Sequence, residues 1–224
     1  MLADLPPDFV YLSDIDPTII QDVRYHTKEN FMGRQVPGYS ENAVVCTRQA
    51  ALALKAAHDD FKQQGYTLVV YDGFRPQAAV DAFLTWGHDH DDNHQQPLYY
   101  PTYQKSELFE KGYIAEGHST HSRGSTFDLT LLKLNDKHTQ VKYTERTLQN
   151  GDEFIYLDDG TVDMGTSFDL FHAASNHDSA LVTAEQTQMR NRLREGMKKH
   201  GFEDYAPEWW HYTLKNEPYP NQYF

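Results

Sequence analysis

The run Tyr66-Thr-Leu-Val-Val-Tyr71 is apolar, β-branched and aromatic throughout, too continuous for a strand with one wet face. Such a segment needs cover on both sides, so it reads as a central strand, and the rest of the chain must supply the cover. An Ala/Leu-rich stretch, residues 48–64, precedes it as a helix closed at Gly65. The turn Asp72-Gly-Phe-Arg-Pro76 follows it. Pro76 then opens a second helix, Gln77 to Trp86, with Val80, Phe83 and Leu84 on its apolar face and Gly87 as its stop.

Residues 87–103 are polar, His-rich and Pro-containing, and read as a surface loop. Ser125 to Leu134 has the composition of a strand, and Tyr143 to Leu157 reads as a hairpin turning near Gly151. A capping box, Thr183-Ala-Glu-Gln186, starts a last helix that carries Met189, Leu193 and Met197 and ends at Gly201. Trp209 to Leu214 reads as the final strand. Helices and strands do not alternate strictly, which predicts an α+β fold with a mainly antiparallel central sheet flanked by helices. With no linker and no shift in composition, residues 1–224 are expected to form a single compact domain.

Lys and Arg number 20 against 33 Asp and Glu, a formal net charge of −13, with the basic residues scattered. Nucleic acid and anionic membrane surfaces are therefore poor partners. The single cysteine, Cys46, excludes an intramolecular disulfide framework and any Cys-based zinc knuckle, and is expected to be buried and inert. No stretch has the apolar length of a membrane span, and the first residues lack the pattern of a signal peptide. A cytoplasmic location is expected, or a periplasmic one if a leader has been removed; oligomeric state is not legible.

Twelve histidines invite the question of which sit beside carboxylates. In Gly117-His-Ser-Thr-His121-Ser-Arg-Gly-Ser-Thr-Phe-Asp128, a small-residue turn delivers His121, and a strand presents Asp128 on the face opposite Phe127 and Leu129. An acid in such a run needs a cationic partner. In Pro207-Glu-Trp-Trp-His211, Glu208 and His211 have opposite strand parity, so both reach one site only if Glu208 lies on the turn before the strand. Together His121, Asp128 and His211 make a two-His, one-carboxylate set suited to one Zn2+ per chain, with Glu208 as the base for hydrolysis of an amide. Arg75, with no acid nearby in sequence to claim it, is placed to stabilise an oxyanion or bind a substrate carboxylate.

Five ordered segments, Tyr71-Asp-Gly-Phe-Arg-Pro76, His118 to Thr130, Met164-Gly-Thr-Ser-Phe-Asp169, Glu208-Trp-Trp-His211 and Glu217-Pro-Tyr-Pro-Asn221, resemble the VanX-type D-alanyl-D-alanine dipeptidases. The resemblance runs from about Tyr25 to Phe224. It implies an α+β zinc peptidase related in fold to the D,D-carboxypeptidases and the hedgehog signalling domain. By motif position, His121, Asp128 and His211 correspond to the zinc ligands, Glu208 to the general base and Arg75 to the arginine that steadies the transition state. Ser119 corresponds to a serine touching the substrate backbone, and Tyr25 and Asp169 to the pair holding the free amino terminus of a small D,D-dipeptide. The biological setting implied is recovery of cell-wall D-alanine or glycopeptide resistance.

The excursion from Lys137 to Asp163 is longer than the family pattern and is expected to cover the site or serve a partner. His88, His90 and His94 alternate with carboxylates as in a second metal site. Phe74 stands where the family carries a tyrosine. His118, His172 and His177 are expected to stand outside the ligand set, and one ring of Trp209, Trp210 or Tyr212 to wall the pocket. Two alternatives stay open: a D,D- or L,D-carboxypeptidase acting on peptidoglycan stems, which needs a groove in place of an amino-terminal clamp, and a non-catalytic zinc-binding module, against which Glu208 and Arg75 both speak.

Overall fold

In the computed structural model, which describes residues 5–224, the Thr47 hydroxyl accepts from the Ala50 N–H and starts a helix, Arg48–Gln63. Ala50, Ala51, Leu54, Ala57 and Phe61 form its buried stripe. The chain reverses at Gly65 into the strand Tyr66–Asp72. In chain order the strands are β1 (Phe9–Tyr11), β2 (Ile20–Gln21), β3 (Val45–Thr47), β4 (Tyr66–Asp72), β5 (Thr126–Lys133), β6 (Lys142–Thr147), β7 (Glu153–Asp158), β8 (Phe202–Tyr205) and β9 (Glu208–Leu214). The helices are α1 (Leu12–Ile15), α2 (Arg48–Gln63), α3 (Gln77–His88), α4 (Gln96–Tyr99), α5 (Lys105–Glu110) and α6 (Ala184–Lys199).

The central sheet runs β2-β4-β5-β9-β8, with β2 parallel to β4 and every other pair antiparallel. This is the expected α+β architecture. Helices α2 and α6 pack on each other and on β4, β8 and β9, and one continuous apolar core reaches from Val10 to Leu214. Cys46 lies in that core, where burial pushes its thiol well above the usual range. No helix among the described residues is long and apolar enough to cross a membrane.

Two irregularities in the sheet set up its functional end. Between β4 and β5 the register moves from Val70↔Leu129 to Asp72↔Asp128, so Tyr71 is the extra residue of a bulge. On the other side of β5, Asp128 pairs with His211. Asp72, Asp128 and His211 therefore stand in a row across three strands.

The stretch after α3 departs from the expected loop. Gly87 does not stop the second helix, which continues to His88. Its lack of a side chain serves packing instead: a Cβ there would lie 2.4 Å from Phe109 Cζ of α5. Short helices α4 and α5 follow and bury Tyr99 and Leu108. Gly87→Ala is expected to lower stability by about 1–3 kcal/mol through this overlap, outweighing the roughly 1 kcal/mol of helix propensity gained. A urea midpoint equal to or above the parent's would show that the ring gives way freely.

The excursion forms the expected hairpin, β6 and β7, turning at Gly151. Phe154 and Tyr156 of β7 pack on Leu148, Leu170 and Ala174 in a small cluster of their own.

Candidate active site

A cavity of about 200 Å³ opens at the bulged end of the sheet, and His121, Asp128, His211, Glu208, Arg75, Ser119, Tyr25 and Asp169 all line it. His121 arrives on a single 3-10 turn, Thr120–Arg123, which Ser119 caps by accepting from the His121 N–H at 3.3 Å. Gly124 ends the turn at φ +80, where a side chain would be strained and would strike the Phe9 ring. His121 Nδ1 contacts the Gly73 carbonyl at 2.9 Å, which leaves Nε2 facing the other candidate ligands.

His121 Nε2 and His211 Nδ1 are 3.3 Å apart. Asp128 places Oδ2 3.3 Å from the first and Oδ1 3.3 Å from the second. Zinc bonds of about 2.0–2.1 Å in a tetrahedron put neighbouring ligands roughly 3.3–3.4 Å apart, since the edge is about 1.63 times the bond. The two imidazole nitrogens have that spacing, and each lies the same distance from one of the two Asp128 oxygens, so the three side chains can converge on one ion.

Their electrostatics point the same way. Burial alone would raise the Asp128 carboxyl, yet the two imidazoles hold it well below the usual carboxylate range. Burial opposes an imidazolium at His211, but Asp128 and Glu208 push its pKa up to about 9. The pocket floor demands positive charge, which a divalent cation satisfies.

Glu208 is the first residue of β9 and not part of the preceding turn. The step from Asp204↔Tyr212 to Tyr205↔Glu208 leaves extra residues on β9, and this irregularity, not a turn, brings Glu208 to the side of His211. Glu208 Oε2 lies 3.4 Å from His211 Nδ1. Burial and the neighbouring Asp128 charge raise its carboxyl, with His211 opposing.

Arg75 is claimed by an acid after all. Asp72, three residues earlier, accepts from its Nε at 3.0 Å and Nη2 at 2.8 Å, and Nη2 also stands 3.6 Å from Asp128 Oδ2. Tyr39 and the Gly73 N–H satisfy the other oxygen of Asp72. The guanidinium lies against the Tyr25 and Phe83 rings and keeps Nη1 free of protein partners among the described residues. Sequence reasoning missed Asp72, although its spacing from Arg75 was the available signal.

Across the pocket, Tyr25 donates to Asp169 Oδ2 at 2.8 Å. Asp169 is the one non-glycine residue with positive φ among those described, at +61, a strained placement that aims its carboxyl inward. Burial, reinforced by the Asp128 charge, raises that carboxyl well above the usual range. Such a group favours a bound ammonium.

The other sequence candidates lie elsewhere. His88 stacks on Phe109 and His94 pairs with Asp92, and the His88, His90 and His94 tract does not assemble as a ligand group. A second cluster among the described residues, Asp22, His138 and Asp159, is already neutralised, because Arg24 bonds both carboxylates at 2.6–2.7 Å. His172 caps a short turn, and His177 is buried against Tyr212. His118 lines the pocket mouth and stacks on Tyr223. None of the 209, 210 and 212 rings walls the pocket; Tyr25, Phe31, Phe83, Tyr113, Phe171 and Tyr205 do. Phe74 packs on Phe9 and Val45, away from the cavity. The excursion contributes no lining residue, so it does not cover the site.

The peptidase M15 family profile, described as D-ala-D-ala dipeptidase, matches residues 7–142 and 133–224. The chain is similar to D-alanyl-D-alanine dipeptidases of Enterococcus faecalis (38% identical over 217 residues), Enterococcus faecium (37% over 216) and Streptomyces coelicolor (36% over 217), covering 96–97% of this chain and 96% of each relative.

Proposed function

Because the chain belongs to the D-ala-D-ala dipeptidase family of peptidase M15, we propose that it hydrolyses D-alanyl-D-alanine or close D,D-dipeptides with one zinc ion held by His121, Asp128 and His211. The 3.3 Å spacing of the three candidate ligands beside a buried fourth carboxylate, Glu208, carries this reading. Bound there, zinc supplies a Lewis acid that lowers the pKa of a water toward about 7.

Glu208 takes the proton of the attacking water as oxygen bonds to the scissile carbonyl carbon. It returns that proton to the leaving amine as the C–N bond breaks. Its raised carboxyl suits both steps. Arg75, held rigid by Asp72, turns Nη1 toward the developing oxyanion. Ser119 retains its hydroxyl hydrogen for the substrate backbone while its oxygen caps the turn.

Asp169 and Tyr25 receive the free ammonium. A blocked amino terminus leaves the buried Asp169 unpaired, a penalty of about 1–3 kcal/mol or more. The free D,D-dipeptide is the substrate consumed in recovery of cell-wall D-alanine or in glycopeptide resistance. On this reading the 137–163 hairpin is an insertion in one 1–224 domain.

The test is hydrolysis of D-Ala-D-Ala beside N-acetyl-D-Ala-D-Ala and L-Ala-L-Ala, before chelation, after it and after zinc is restored. Zinc-dependent cleavage selective for the free D,D-dipeptide is expected. Preference for the blocked peptide would make the protein a carboxypeptidase, and silence with zinc bound a binding module. Asp169→Ala is expected to lower kcat/KM for the free dipeptide about 100-fold while changing the blocked one little; equal losses would remove the clamp.

A further inference from the structure

Both halves of the clamp trace back to one carboxylate outside the pocket. Arg24, the residue before Tyr25, donates Nη2 to Asp159 Oδ2 at 2.6 Å. Tyr71 donates its hydroxyl to the same oxygen at 2.5 Å, and its ring stacks on Phe168, the residue before Asp169, with centroids 4.7 Å apart. The other oxygen of Asp159 accepts from the Thr161 N–H at 3.1 Å and hydroxyl at 2.6 Å. Arg24, Tyr71, Phe168 and Asp159 are all buried.

The remaining neighbours complete a charge-balanced joint. Asp22 bonds Arg24 Nε at 2.7 Å and lies 3.3 Å from His138 Nε2, which is 3.6 Å from Asp159. These two carboxylates push His138 up to about 9, so an imidazolium and a guanidinium face two carboxylates. The charges of this cluster therefore balance without a metal ion.

We propose that Asp159 is a positioning residue for the substrate's amino terminus, fixing the separation of Tyr25 and Asp169 from behind. Through it the 137–163 hairpin takes part in substrate selection without reaching the pocket. The inference rests on reading Tyr25 and Asp169 as the ammonium clamp. A hydrogen bond of 2.8 Å between two clamp members leaves little slack, and displacements of a fraction of an ångström are enough to weaken recognition. Asparagine at 159 keeps the shape but removes the charge that anchors Arg24.

The experiment compares Asp159→Asn, Tyr71→Phe and Asp169→Ala by KM and kcat on D-Ala-D-Ala, and by the ratio of kcat/KM for free over N-acetylated dipeptide. For Asp159→Asn, KM is expected to rise about tenfold and the ratio to fall about tenfold, with kcat within about threefold and metal content unchanged. Tyr71→Phe cuts one of the two ties and moves both in the same direction by less. Neither KM nor the ratio depends on the folded fraction, so a merely structural role leaves both at parent values. A collapsed ratio in Asp169→Ala with parent values in both other variants overturns the role of Asp159. An unchanged ratio in Asp169→Ala removes the clamp itself, and the proposal with it.

Discussion

Glu208→Ala is expected to keep its metal and lose nearly all turnover. The two imidazole nitrogens and the Asp128 carboxylate make their 3.3 Å contacts without Glu208, which lies 3.4 Å from His211 Nδ1. On the proposed mechanism, removing it deletes the proton carrier while sparing the cation site. General acid-base catalysis contributes about 10²–10⁴-fold, and in the proposed mechanism Glu208 serves both the attack and the departure of the amine, so kcat should fall by a factor in the upper part of that range. Glu208→Gln, which keeps the volume but not the basicity, should fall equally. Metal content by atomic emission and kcat at saturating dipeptide check this together. A kcat within about threefold of the parent's would remove Glu208 as the base, and loss of the metal would make it a ligand.

How much of this was legible in the chain depends on the range of the signal. Helix α2, strand β4, the hairpin and the capping box of α6 follow from patterns confined to a few neighbouring residues, and the structure has them within one or two positions. The short helices α4 and α5 escaped, because four- to six-residue elements are fixed by what they bury, Tyr99 and Leu108, and not by propensity. Gly87 was misread for the same reason: its role is set by Phe109, 22 positions away.

At the site, the motif residues line one cavity, but what aligns them was invisible in the sequence. The Tyr71 bulge puts Asp72 opposite Asp128, and the irregular pairing of β9 brings Glu208 to His211. Register depends on strands meeting across long separations, which no local pattern encodes. The pocket walls have the same origin, since Phe31, Tyr113 and Phe171 come from segments with no shared motif.

His121→Ala should release the metal and, with it, both activity and part of the stability. His121 is 1% exposed, and the Gly73 carbonyl holds its ring so that only Nε2 faces Asp128 and His211. Loss of an outer hydrogen-bond partner of a ligand costs about 10–100-fold in metal affinity, so loss of one of the three proposed ligands should exceed the upper figure. The consequence spreads beyond the ion. Asp128 depends on the two imidazoles to stay ionised against burial, and Glu208 lies beside it, so the variant crowds two buried carboxylates around a single imidazole. A ligand bound only by the folded state stabilises by about 2.7 kcal/mol at 100 times its Kd, a contribution the parent loses on chelation and the variant never has. Zinc should therefore raise the melting temperature of the chelated parent and leave that of His121→Ala unmoved. A variant that purifies with one zinc per chain and melts with the parent would refute the ligand assignment, whatever its activity.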